Sequence, residues 1–321
     1  MNSQGTLLGI LAVLGAAALW GTTGTAATFA PDVGPLAMGA AALGIGGILQ
    51  ALIALPALYR ARTELRAHLP VVFAGAVGVF IYPLAFYSSM HLAGVAVGTV
   101  VSLGSAPIAS EVLERVSEKR HLSRRWMLAA ALGITGATTL CLSTMHNAPS
   151  QVAPTIAGIA LGLVAGTTYA LYSWSAHQLI GRTIGRAAGM GAIFGLGGLA
   201  LIPVLLATGA PLLSSTQSFT VGAYMALIPM FLGYLLFGYG LTRVNASSAT
   251  TLTLAEPAIA AILAVVIVGE RLDPLGWVGI AAIGAALLVL SLGPATGESN
   301  RQSTRRPRTT NAKSSLQQQP Q

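Results

Sequence analysis

The sequence predicts an all-α polytopic membrane protein, with ten transmembrane helices built as two inverted five-helix repeats. Three observations carry that prediction: apolar runs along nearly the whole chain, basic residues confined to alternate loops, and an internal similarity at a near-constant offset. Of the 321 residues 54% are hydrophobic and 8% charged, whereas a soluble domain has ~25% charged residues. So few charges cannot cover a water-exposed surface. Each apolar run is close to the ~20 residues a helix needs to cross the hydrocarbon core of a bilayer.

The spans read, in order, 7–29, 35–58, 69–89, 93–113, 126–145, 154–178, 187–209, 219–241, 246–268 and 274–293. The first has a rival reading as a secretory signal, because "GTAATFAPD" resembles a cleavage site. Its apolar core is longer than a signal's and lacks a positive start, which favours a spanning helix. Connections are short, and only residues 294–321 turn abruptly polar, as expected of a disordered basic cytoplasmic tail. Cys141 is the sole cysteine and falls in the fifth span, where it reads as a small core side chain.

Orientation follows from the basic residues. With the N-terminus cytoplasmic, the inner loops hold Arg60, Arg62 and Arg66, then Arg115, Lys119, Arg120, Arg124 and Arg125, then Arg182 and Arg186, then Arg243. The tail adds five more, leaving Arg271 alone outside among 17 Lys and Arg. The net charge of +8 therefore reports membrane orientation, with both termini inside, and not affinity for nucleic acid. The lipid bilayer is the expected partner, and the tail can also touch anionic lipid.

The repeat appears in three stretches in the same order. Ala96 aligns with Ala246 and Pro107 with Pro257; Trp126 and Gly133 align with Trp277 and Gly284; Gly9 and Trp20 align with Gly158 and Tyr169. The offsets are 149 to 151 residues. The halves are thus 6–145 and 154–293. Five crossings per half invert the second copy, an architecture that places a site between the halves near the membrane midplane.

Glu256 is the one acid placed well inside a span, in "LTLAEPAIAAIL". A charge at the bilayer centre costs ~2.5–3.5 kcal/mol on insertion scales, so such an acid faces a protein interior or a watery cavity. It can bind substrate or exchange a proton between the two sides, or it can be a hydrogen-bonded structural carboxyl; both readings stand. Pro257 and its repeat mate Pro107 lack an N–H, which leaves the carbonyls of Thr253 and Leu103 without helical partners and makes each a candidate kink or hinge. Pro83 and Pro229 mark two further spans without aligning in the repeat.

Among the aromatics, Trp20, Tyr82, Tyr169 and Tyr234 are the candidates for a central pocket, against a packing role for each. Tyr87, Tyr172, Trp174 and Tyr239 read as belt or packing residues. Glycine pairs at four-residue spacing, Gly94/Gly98, Gly158/Gly162 and Gly191/Gly195, suit close helix packing within the chain and, secondarily, a homodimer. Glu111 and Arg115 read as an i,i+4 pair on a solvated face at the cytoplasmic mouth. The five histidines are scattered without metal-ligand spacing, and no Gly-rich lysine loop for a nucleotide exists, so neither metal nor cofactor is expected.

"WGTTG" closing the first span, "LAEPAIAAIL" followed by "VGERL" in the ninth, and the five-plus-five order together resemble the EamA-like family of the drug/metabolite transporter superfamily, over about residues 6–293. Two features depart from that pattern. No basic residue comes early in the second span, and Glu111, Glu114 and Glu118 interrupt the end of the fourth. The resemblance implies a secondary transporter of small metabolites, often an exporter of amino acids, working by alternating access in the cell membrane, with a small-molecule substrate and protons as the candidate coupling ion. Drug efflux and metabolite uptake are the alternatives within transport. Outside it stand a membrane enzyme acting on lipid-linked substrates and a receptor or channel.

Overall fold

The computed structural model describes residues 3–118, 123–143, 152–182, 184–263, 265–266 and 272–291. The basic tail, Glu118's side chain, Lys119, Arg120 and Arg271 lie outside the described residues, as does the side chain of Cys141. The described residues form helices joined by short connections, with no strand among them. We number ten rods: α1 Gln4–Ala27, α2 Pro35–Arg60, α3 Leu69–Ala93, α4 Val95–Glu118, α5 Arg124–Ser143, α6 Val152–Ile180, α7 Arg186–Thr208, α8 Thr216–Leu241, α9 Ala246–Leu263 and α10 Pro274–Ser291. Seven of them, α1–α3 and α6–α9, are long and apolar enough to cross a membrane.

Small residues decide how the rods pair. Along α2 and α7, Gly44 meets Leu201, Gly47 meets Phe194, and Ala51 and Ala54 meet Gly195 and Gly191. Numbers rise on one helix as they fall on the other, so the pair is antiparallel. The same sense holds for α1 with α8 (Gly9 at Arg243, Gly15 at Leu236), α3 with α6 (Gly78 at Thr168, Ser89 at Gly158), α4 with α9 (Ser110 at Thr250, Glu114 at Ser247) and α5 with α10 (Gly136 at Ile283, Arg125 at Leu290). Both Gly158/Gly162 and Gly191/Gly195 are used in contacts inside the molecule. Gly94 has φ 85°, a left-handed conformation open to glycine, and it turns the chain sharply from α3 into α4.

A side chain at Gly47 would run into the backbone carbonyl of Phe194, which cannot swing aside. Gly47→Leu is therefore expected to destabilise the α2–α7 crossing by about 1–3 kcal/mol, the usual cost of overpacking. Thermal unfolding in detergent checks this, with Gly284→Ala, whose site is open, as the silent control.

Besides a one-residue interruption of α1 at Thr22, three rods depart from regular geometry. The start of α2 and the middle of α8 widen into π-helical turns over Ala40–Ile45 and Ala226–Leu232, packed on each other. α9 breaks at Thr253–Leu254 between the helical pieces Ala246–Leu252 and Ala255–Leu263. Such wide turns release carbonyls from the helical ladder, and they concentrate at functional sites.

Candidate functional site

The released carbonyls explain how the site is built. In the wide turn of α8, the Gly233 N–H donates to Ile228 O, one residue further back than in an α-helix. Pro229 O thereby lacks its α-helical partner, the Gly233 N–H, and the Trp20 indole N–H donates to it at 2.8 Å. That bond fixes the indole against Tyr234 and Phe237, with ring centroids 4.8 and 5.4 Å away. Gly233 must stay small: a Cβ there would sit 2.7 Å from Trp20 Nε1. Gly233→Ala is expected to dislodge the indole, read as a red shift of tryptophan emission relative to wild type.

The break in α9 corrects the expected role of Pro257. Thr253 O is not left free, because Glu256 N–H donates to it at 2.9 Å across a tight turn. The helix restarts at Ala255, so Pro257 occupies a first turn, where its missing N–H costs nothing. Its repeat mate behaves differently, since α4 runs as one helix from Val95 to Glu118 through Pro107. The two prolines thus sit differently, Pro257 in the first turn of a helical piece and Pro107 inside a helix. The α9 break also carries Thr253, whose hydroxyl donates to Thr250 O and accepts from the Tyr169 hydroxyl at 2.9 Å.

Glu256, Trp20, Tyr82 and Tyr234, singled out from the sequence on four different helices, line one small cavity of about 20 Å³. Thr23, Phe86, Tyr87 and Met230 also line it. Glu256 is 8% exposed, and among the described residues lining the cavity it is the only acid, with no Lys, Arg or His. Tyr169 does not reach the lining. It stands behind it, its ring 5.4 Å from Tyr82 and 6.3 Å from Trp20. Neither Pro107 nor Pro257 is in the lining.

The structure adds three residues that the sequence reading placed elsewhere. Tyr172 is not in a belt: it is fully buried, and its hydroxyl bonds the Tyr234 hydroxyl at 2.7 Å. Its position one helical turn after Tyr169, on the same face of α6, was the available signal. Tyr87 lines the cavity. Glu114 is a second buried acid, 1% exposed. Its carboxylate accepts from Ser247 N–H at 2.8 Å, from Ser247 Oγ at 3.0 Å and from Asn245 Nδ2 at 3.0 Å, so α4 caps the start of α9. Glu111, expected on a solvated face, is 9% exposed, while Arg115 is exposed. Near the same end, Trp174 reaches Ser117 Oγ and His177 bonds Leu241 O. Trp174 is thus a cross-helix tie, and Tyr239 stacks under the Arg243 guanidinium at 3.8 Å.

Chemically, the cavity offers one carboxyl surrounded by aromatic rings and hydroxyls. A carboxylate and ring faces both attract a cationic head such as an ammonium group. Comparison with known proteins gives this arrangement its setting. The family described as "EamA-like transporter family" matches residues 7–142 and again 156–292. The chain belongs to the EamA-like transporter family.

Relatives of this EamA-like chain are named in transport terms. It is 36% identical over 288 residues to an uncharacterized transporter, YwfM, of Bacillus subtilis, covering 88% of this chain and 94% of that one. It is 26% identical to the threonine/homoserine exporter RhtA of Escherichia coli K12, over 86% and 88% of the two chains. A probable terminal-alkyne amino-acid exporter of Streptantibioticus cattleyicolor is 23% identical over 85% of this chain and 92% of its own. A solved crystal structure shares the fold, with TM-score 0.72 and 19% identity over 90% of this chain and 96% of that one. The apolar helices and the family together make this EamA-like chain a multi-pass membrane transporter of small molecules.

Proposed function

We propose that this transporter is a secondary active exporter of small amine-bearing metabolites, amino acids being the best-matched class, working by alternating access with Glu256 as the substrate- and proton-binding group. The observation that carries the reading is the lone acid in an aromatic cavity, at the break of α9. The names of two relatives, exporters of threonine and homoserine and of an alkyne amino acid, support the class. No basic side chain is among the described residues lining the cavity, so hydroxyls of Thr23, Tyr82, Tyr87 and Tyr234 would face the carboxylate of a zwitterion.

The helical pairing supports inverted halves of five helices each, 6–145 and 154–293, with both termini cytoplasmic. Exchanging α1–α5 with α6–α10 turns the α1–α8 pair into α6–α3 and returns α2–α7, α4–α9 and α5–α10 to themselves. One contact repeats residue by residue. Gly9 packs on Arg243 and its aligned mate Gly158 on Ala93, two partners that stand 150 residues apart. An inverted pair can open one cavity to either side in turn. Ten spans follow if α4, α5 and α10 also cross.

Aromatic walls attract organic cations as well as amino acids, which keeps drug efflux as a second reading. Purified protein in liposomes, loaded with a panel of amino acids and organic cations under a pH gradient, tests both. Saturable uphill movement of amino acids is expected; saturable movement of bulky cations alone would favour drug efflux, and movement of neither would overturn the transport mechanism proposed here.

A further inference from the structure

A second, larger cavity lies just beyond the first. It is a groove of about 750 Å³ between the end of α1, the start of α8 and the end of α9, lined by Thr22, Thr25, Thr220, Tyr224, Val221 and Leu263 among others. Among the described residues that line it, none is charged. The two cavities share a wall, and the sequence "WGTTG" forms it: Thr23 faces the inner cavity and Thr22 the outer groove. On the groove side of that wall the Thr22 and Tyr224 hydroxyls bond at 2.7 Å, tying α1 to α8.

The direction of this bond follows from counting protons. The single hydroxyl proton of Thr22 is given to Leu19 O at 2.6 Å, so Tyr224 is the donor and Thr22 Oγ1 the acceptor. Both helices are irregular at the wall. α1 tightens at the single residue Thr22, whose N–H donates to Leu19 O, between its pieces Ser3–Gly21 and Thr23–Ala27, and the wide turn of α8 begins at Ala226, two residues after Tyr224. Such segments have weakened ladders and can rearrange without dismantling a full helix. Gly21, next to Thr22, lies so close to the restart of α9 that a Cβ would be 3.1 Å from Glu256 O and 3.3 Å from Ala260 N. A shift of the Glu256 backbone is therefore felt at this point in α1.

We infer that the Thr22–Tyr224 contact is the gate between the central cavity and the outer groove, and that the groove is the exit vestibule for the small amine-bearing solute. This rests on the proposed transport role of the Glu256 cavity. The chemistry of the two chambers fits a release path: the inner one holds a carboxyl for an ammonium group, and the described lining of the outer one offers hydroxyls and apolar surface without a countercharge. A solute that passes the gate loses its strongest partner and leaves. By the orientation proposed from the basic loops, the groove lies on the extracytoplasmic side.

The test is accessibility of a thiol, which needs no transported solute. In a full-length Cys141→Ala background, Thr23→Cys places a near-isosteric thiol on the inner lining and Thr25→Cys places one on the groove. A membrane-impermeant maleimide is added from outside, with and without Tyr224→Phe, which removes the donated proton and keeps the ring. Expected is slow modification at Thr23→Cys that rises about threefold to tenfold with Tyr224→Phe, the population shift that one neutral hydrogen bond is worth. Thr25→Cys should react at the same rapid rate in both, and thermal unfolding of each variant in detergent reports that it is folded. Equal rates at Thr23→Cys with and without Tyr224→Phe, or no modification of Thr25→Cys from outside in folded protein, would overturn the gate. A rate change at Thr23→Cys in a protein that moves no solute would sustain the gate and refute the transport reading separately.

Discussion

Glu256→Gln is expected to abolish the response of transport to a pH gradient while leaving the protein folded and able to exchange solute across the membrane at a reduced rate. The amide keeps the size and hydrogen-bonding shape of the carboxyl but can neither bind nor release a proton at neutral pH. Because no other acid and no base is among the described residues lining the cavity, none of them can take over the coupling. Loss of a charged partner for an ammonium group should also weaken binding by on the order of 10-fold to 100-fold, a hydrogen bond to a charged group being worth roughly 1.5–3 kcal/mol. Net transport driven by a pH step, compared with exchange at equal pH on both sides, separates these two effects.

Glu114→Ala is expected to be the most destabilising single polar change in the described chain. Glu114 accepts three hydrogen bonds from the start of α9, and truncation leaves a buried Ser247 N–H without an acceptor. A loss on the order of 3 kcal/mol follows from one uncompensated buried donor plus charge-assisted bonds forgone. Glu114→Gln should recover part of it, because one amide oxygen still reaches the Ser247 N–H. Thermal unfolding of both variants in detergent, with transport measured below the unfolding range, checks the order wild type, Gln, Ala. Equal stability of Ala and wild type would show that the cap carries no weight.

These two acids also show what the sequence could reveal. Glu256 was legible because a carboxylate inside a long apolar run is costly and demands a reason. Trp20, Tyr82 and Tyr234 were legible as aromatics within apolar spans, and the structure brings them to one cavity. Glu114 was not, because an acid near the end of an apolar run, beside Glu111 and Arg115, has the pattern of a solvated mouth. Only the packing of α4 on α9 sets it against Asn245 and Ser247, although an Asn and two serines at a helix start are themselves a capping signal.

Irregular backbone was the least legible part. Pro257 announced a disturbance in α9, but the break falls at Thr253–Leu254, and the proline is accommodated in the turn that follows. Nothing local in "AAALGI" distinguishes the wide turn of α2 from ordinary helix, since it depends on packing against α8. Pro229 was noted only as an unpaired proline, yet its carbonyl is what holds Trp20. Periodicity reports which residues prefer a protein interior, whereas which carbonyls are released is fixed by contacts between distant helices.

The account turns on recognition of an amino group by Glu256, and one measurement addresses it directly: counterflow of labelled threonine in proteoliposomes, competed by unlabelled threonine, by its amine lacking the carboxyl group, and by its hydroxy acid lacking the amine. The account predicts competition by the first two and none by the hydroxy acid in wild type, with this discrimination lost in Glu256→Gln. Competition by the hydroxy acid as strong as by threonine would contradict it.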